Sequence, residues 1–270
     1  STTDARIGEL VRKAGWLRQQ YGVPTGFQRA PFFEIQTDRF ALIAADTGVV
    51  KRVDAEQMAW LRSALDRARG KSIMAILGHP FYAGGNAQID GYEDFAEMKQ
   101  LLLDHDVAIV MAGDTHDLEY YVEPRLQGGA THHVVNGGGG AYLSFGTSLA
   151  WPSKPASPDW AFYPDTQAVT AKIEAETPLW KRPAWWWTRQ FGAWPVSAEW
   201  LSAMFDYNVA PFFQSFVEVR VEPSANRILL RPYGINGRLT WGDLASSETV
   251  RPPGVTGDTL VEWTVPMARR

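Results

Sequence analysis

The sequence predicts a layered α/β fold, and three observations carry that reading. Apolar runs suited to buried strands alternate with helical patterns between residues 40 and 136. Two of those runs end in glycine followed closely by histidine or aspartate. A strong hairpin pattern over 212–233 adds β-structure towards the end of the chain.

Taken in order, Ile7–Gln20 reads as a helix that the Gly-Val-Pro-Thr-Gly run at 22–26 brings to an end. Two strands follow, Phe32–Gln36 and Phe40–Ala45, joined by Thr37-Asp38-Arg39 as a hairpin turn. The second is apolar on both faces, as a buried central strand must be. Asp54-Ala55-Glu56-Gln57 is a capping-box pattern, and Met58, Leu61, Leu65 and Ala68 then share one helical face up to Gly70. Ser72–Leu77 and Val107–Ala112 read as buried strands, with a helix over Tyr92–Leu103 between them. Leu118–Val122 and His132–Val135 complete this series, the latter running into Asn136 and four glycines.

Residues 147–210 break the alternation. They are rich in proline and hold most of the 12 tryptophans. They read as an insert with short helices near 165–176 and 197–206. Strands at 212–222 and 226–233 follow, turning at Pro223-Ser224-Ala225-Asn226, with further β-structure near 238–241 and 259–265. Three regions result: an α/β core over 1–146, the insert over 147–210, and closing β-strands over 211–270.

Composition narrows the function. A net charge of -4 gives no strongly basic character that would point to nucleic acid. The absence of cysteine removes disulfides, thiolate zinc sites and cysteine nucleophiles, and fits cytoplasm and periplasm equally. No apolar run reaches the roughly 18 residues of a membrane-spanning helix, so a soluble protein is expected.

Two motifs carry chemistry. Ile76-Leu77-Gly78-His79-Pro80 and Met111-Ala112-Gly113-Asp114-Thr115-His116 each run a buried strand into a glycine and then into a metal-competent side chain. Ligands of open α/β sheets bind beyond the carboxyl ends of the strands, where both motifs fall. His132-His133 reads as one packed and one exposed ring, and His105 as a structural residue at a helix C-terminus. Gly137–Gly140 lacks the Lys-Ser/Thr of a P-loop and reads as a tight turn. Trp185-Trp186-Trp187 cannot face one way on any regular element. It packs the insert onto its own domain, or forms a lid, a self-association surface or a membrane-surface contact, with Lys181, Arg182 and Arg189 beside it.

The order of features resembles the second half of the calcineurin-like metallophosphoesterases. Ala45-Asp46-Thr47-Gly48, Gln57-Met58-Ala59-Trp60-Leu61, Gly78-His79-Pro80-Phe81-Tyr82, Gly113-Asp114-Thr115-His116 and Val135-Asn136-Gly137-Gly138-Gly139 carry the likeness, over about residues 30–145. It implies an αββα sandwich with mixed sheets and hydrolysis of phosphate monoesters or diesters at a two-metal site of Mn, Fe, Zn or Mg. By the resemblance, His79 ligates one metal and His116 the other, while Asp114 stands where the family has the first histidine of Gly-His-x-His. Asn136, Gly137 and Tyr82 would then border a phosphorylated small-molecule or lipid substrate. Asp46 and Asp117 would orient ligands, although a turn aspartate satisfying backbone N–H groups explains each equally well.

Outside residues 113–117, the family's Asp-x-His, Gly-Asp-x-x-Asp and Gly-Asn-His motifs do not occur in this sequence. Either residues upstream of Ser1 complete the site, or the scaffold serves as a non-catalytic binding module that presents its tryptophans to a partner. A hydrolase of another ester class is a third reading. Loss of the leading strands would also leave a sheet edge open, to be covered by upstream chain, a partner or a rearranged sheet.

Overall fold

In the computed structural model, the described residues are 4–22, 31–48, 50–125, 128–140, 143–152, 154–155, 158–164, 170–171, 174–175, 177–191, 197, 200, 212, 214–244 and 252–268. A helix α1 (Asp4–Gln20) precedes the hairpin β1 (Phe33–Gln36) and β2 (Phe40–Ala45). Helix α2 (Ala55–Arg67), β3 (Ser72–Leu77), a short hairpin β4 (Tyr82–Ala83) and β5 (Asn86–Ala87), and α3 (Glu93–Asp104) come next. Then follow β6 (Ile109–Ala112), β7 (Leu118–Pro124), β8 (Ala130–Asn136), a single turn α4 (Phe145–Ser148) and β9 (Asp159–Phe162). The chain closes with α5 (Arg182–Phe191), β10 (Ser215–Glu222), β11 (Arg227–Gly234), β12 (Gly237–Arg238) and β13 (Trp263–Pro266).

The first sheet has seven strands in the order β1-β2-β3-β6-β8-β7-β9. Its centre, β2-β3-β6-β8, is parallel, and antiparallel strands flank it on both sides. Alternation along each strand sorts side chains into two cores. Ala41, Ile43, Ile73, Ala75 and Tyr121 face α2 and α3, meeting Leu61, Leu65, Phe95 and Met98. Met74, Ile109, Tyr120 and Val134 face the second sheet, meeting Ile228, Leu230, Trp263 and Val265. The mixed α/β sandwich expected from the sequence is therefore observed. The core sheet also extends past residue 146, because β9 pairs with β7 from inside the tryptophan-rich stretch. The expected helices over 165–176 and 197–206 fall largely outside the described residues. At the other edge, β1 leaves Phe33 and Ile35 exposed. None of the described helices is long and apolar enough to cross a membrane.

The expected turn chemistry is in place. Thr37 closes the β1–β2 hairpin through backbone and side-chain bonds with Phe40. Asn226 sits at φ 53°, the left-handed conformation that an asparagine tolerates at such a turn. Asp54 caps α2 by accepting the Gln57 N–H at 2.7 Å. The other half of the box is diverted. The Gln57 amide donates to the Asp46 carbonyl and accepts from its N–H, both at 2.7 Å, and so clamps the exit of β2.

Four ionisable groups meet in the helix-side core. The Glu123 carboxylate accepts from Lys99 at 2.7 Å, from His133 at 2.8 Å and from the Tyr82 hydroxyl at 2.9 Å. Burial alone would raise the Glu123 pKa, but the His133 and Lys99 hydrogen bonds outweigh it and hold the group at about 2. Burial pushes His133 below its ordinary 6.5 despite the neighbouring carboxylate. A carboxylate held low contributes stability above its unfolded value near 4.5 and loses it as pH falls towards 2. Glu123→Gln is therefore expected to cost about 1–2 kcal/mol at neutral pH, allowing for screening by solvent at this half-buried group. Denaturant melts of both proteins at descending pH should show the gap narrowing below about pH 4.5.

Candidate functional site

The parallel strands β3, β6 and β8 end side by side in Gly78, Gly113 and Gly137. Their backbones approach closely. A Cβ on Gly137 would lie 2.0 Å from the Thr115 carbonyl oxygen, and one on Gly78 would lie 2.8 Å from the Thr47 hydroxyl. Glycine is required at Gly137 for that reason, and the crest of the sheet closes only because it is there.

His79 is anchored from behind. The fully buried Thr47 hydroxyl accepts the His79 backbone N–H at 3.0 Å and bonds the ring Nδ1 at 2.7 Å. This leaves Nε2 facing the Asp114 carboxylate at 3.7 Å. Asp114 adopts φ 68°, a left-handed conformation rare for a residue with a side chain and concentrated at functional sites. The second motif of the sequence therefore turns its carboxylate back towards the first.

Asp114, Thr115 and His116 line one cleft of about 280 Å³ with Ala83, Gly84, Gln88, Ser144, Thr147 and Trp151. His116 is fixed through its backbone, whose N–H donates to the Ser144 hydroxyl at 2.9 Å and whose carbonyl accepts the Ser144 N–H at 3.1 Å. Two donors bound at about 2.1 Å to one tetrahedral ion stand about 3.4 Å apart, so the His79–Asp114 pair fits a single cation with a small adjustment. Among the described residues no three acidic or histidine groups gather at one point. His79, Asp114 and His116 thus do not form the three-ligand group expected from the sequence. The pair forms, and of its two members Asp114 lines the cleft that His116 also borders. The described residues alone do not supply the ligands of the two-metal centre that the resemblance implies.

Other expectations shift with the geometry. Tyr82 was expected beside substrate but is buried, with its hydroxyl held by Glu123 and Lys99, because β4 folds it under the sheet's crest. The Asn136 side-chain amide oxygen Oδ1 accepts from the Ser215 hydroxyl at 3.2 Å and so joins the crest to the second sheet. Asp46 accepts the Gly48 N–H at 2.8 Å, the turn role, and the neighbouring Thr47 is the residue that reaches His79. His133 is the packed ring of its pair, while His132 bonds the Tyr120 hydroxyl at 2.8 Å on the opposite face. His105 caps α3.

Lys51 escaped the sequence reading. Its amine donates to the Gln88 side chain at 3.2 Å at the edge of the cleft. Burial lowers its pKa and the nearby Asp114 charge partly restores it, so Lys51 lies within electrostatic reach of the crest. No motif marks it; a left-handed backbone at φ 55° places it there.

Asp117 is fully buried and turns away from the cleft. Its carboxyl oxygens meet no donor among the described residues except the neighbouring Glu119 carboxyl. Burial first, and the Glu119 charge second, push Asp117 well above its ordinary value. Burial raises Glu119 also, although it accepts the Gly84 N–H at 2.9 Å and the Tyr121 hydroxyl. The two acids share this pocket because Asp117, one residue before β7, and Glu119 within it are two apart, the spacing that puts side chains on one face of an extended chain.

A larger cavity of about 650 Å³ opens at the opposite end of the sheet, bordered by Arg69, Lys71, His105, Arg125 and His132. The strands begin there. The glycine-ended strands, the anchored histidine and the strained aspartate are all at the crest, which is the better candidate despite its smaller volume.

No family model matches the chain. No curated protein matches it either. Among solved structures it is similar to the purple acid phosphatase PPD1 of yellow lupin (Lupinus luteus) seeds. That match has 15% identity and a TM-score of 0.45, over 90% of this chain and 34% of that one. It is also similar to GAP50, the anchor in the inner membrane complex of Plasmodium, at 18% identity and a TM-score of 0.30, over 40% of this chain and 37% of that one. The chain thus spans about a third of the length of each of these two structures.

Two substitutions check the packing of the crest. Gly137→Ala must displace the Thr115 backbone and is expected to cost about 2–3 kcal/mol in denaturant melts. Asp117→Asn removes an acid whose folded pKa is raised. A raised acid favours the fold below its unfolded value and costs stability as pH rises through the folded one. The substitution should therefore raise the thermal midpoint at neutral pH and lose that gain towards about pH 4.

Proposed function

We propose that the crest cleft binds a divalent cation and a phosphate ester together and hydrolyses the ester. The observation that supports this is the His79–Asp114 pair: an imidazole fixed in direction by a buried hydroxyl, facing a carboxylate held in a strained backbone. A bound cation would supply positive charge to polarise a phosphoryl oxygen. The rest falls to the chain's own residues. His79 and Asp114 present the donors, and Thr47 keeps the ring from turning. His116 lines the same cleft and can hydrogen-bond a phosphate oxygen. Lys51 adds a fixed positive charge at the rim, which favours an anionic substrate over a neutral ester.

One observation favours a second reading, a non-catalytic ligand-binding module. The described residues offer two donors for a cation, fewer than a catalytic centre of this kind employs.

Titration calorimetry with Mn²⁺ and Zn²⁺, alongside turnover of an aryl phosphate, separates the two. On the proposal, wild type binds one ion and hydrolyses the ester. Thr47→Val, which removes only the anchoring hydroxyl, weakens ion binding about tenfold or more. Asp114→Asn should abolish both binding and turnover. Ion binding without turnover would support the module. Neither binding nor turnover would overturn the cation site.

A further inference from the structure

From a separate region, we infer that the segment 177–191 is a docking surface for an anionic phospholipid membrane. Leu179, Trp180, Trp186, Trp187 and Phe191 are all exposed large hydrophobic side chains, within a single short stretch. Leu179 and Trp180 are each about three-quarters exposed.

The geometry of α5 explains why. Trp185 and Thr188 are buried and fasten one face of the helix to the protein. Trp187 and Phe191, one helical turn apart, occupy the far side with ring centroids 4.5 Å apart. Trp186, the most exposed of the three indoles, also points outward, about 100° round the helix from Trp187. The outer surface of the helix is thus aromatic where a surface helix ordinarily carries charge.

Charge identifies the occupant. Between Glu176 and Glu199 the sequence has three basic residues, Lys181, Arg182 and Arg189, and no acidic one, in a protein whose net charge is -4. Arg189 is paired with Glu174. Lys181 lies 5.1 Å over the Trp180 ring, and Arg182 is exposed. Arg182 and Trp186 border a notch of about 330 Å³ with Trp185, Arg189, Gln190 and Glu174. A second copy of the chain would bring this basic surface against itself and be repelled. A membrane carrying anionic headgroups meets both demands. Indole rings settle at the headgroup level, apolar side chains enter the acyl boundary, and lysine and arginine face phosphate. The helix would lie in the plane of the interface, since it is too short to cross it.

The test is flotation of the full chain with vesicles of phosphatidylcholine alone, or with about 30% phosphatidylglycerol, at about 0.1 M salt. Expected is flotation with anionic vesicles only, falling as salt rises. Trp186→Ser combined with Trp187→Ser should lower the partition coefficient at least about tenfold, and Lys181→Glu with Arg182→Glu likewise. The altered side chains are at the surface, so thermal melts should match wild type, and Trp187→Phe should retain binding. Salt dependence in the wild type reads the same surface without any substitution. The inference is overturned if wild type fails to float with anionic vesicles, or if the paired variants float as it does. It is overturned equally if wild type sediments as a dimer that the tryptophan variants split.

Discussion

The crest of this sheet depends on one buried hydroxyl. Thr47 has no access to solvent, accepts the His79 N–H and holds the imidazole Nδ1. Its own position is fixed one step further back, where the Gln57 amide grips both polar groups of the Asp46 backbone. A helix cap, a strand exit, a ring orientation and a carboxylate contact therefore form one chain of constraints. Hydrogen bonds buried this way resist loss, because an unpaired polar group left in the interior costs more than the bond itself contributes.

Much of the scaffold was legible in the sequence because burial imposes period. β3 matches its apolar run residue for residue, and the β10–β11 hairpin turns where Pro223 and Asn226 require it. Elements shaped by local backbone conformation were not legible. The β4–β5 hairpin rests on Gly84 and Gly85 at positive φ, inside a stretch with no alternation to announce it. Strand β9 is four residues long and sits in a proline-rich setting, so its pairing with β7 follows from tertiary contact alone.

The site divided along the same line. Strand ends placed His79, Asp114 and His116 at the crest, because a glycine after a buried strand leaves few directions for the chain. Side-chain direction was another matter. Asp114 turns towards His79 through a left-handed backbone that its residue type does not signal, and Lys51 arrives by the same device. Tyr82 follows His79 by three residues yet goes under the sheet, drawn by the Glu123 carboxylate. The tryptophan triplet resolved into one anchor and two outward rings because a helix separates consecutive side chains by about 100°.

Strand β7 gives the fold an unusual relation to acidity. Along its helix-side face, Glu119 and Glu123 are separated by one tyrosine, yet their surroundings push them in opposite directions. Near Asp117 the interior prefers carboxyls that keep a proton; beside His133 and Lys99 it prefers one that has released it. Acidification relieves one end of the strand and strains the other; above about pH 4.5 the Glu123 end changes no further, and rising pH strains only the Asp117 end. A single ribbon of seven residues can in this way bracket the conditions under which the whole sandwich is most robust.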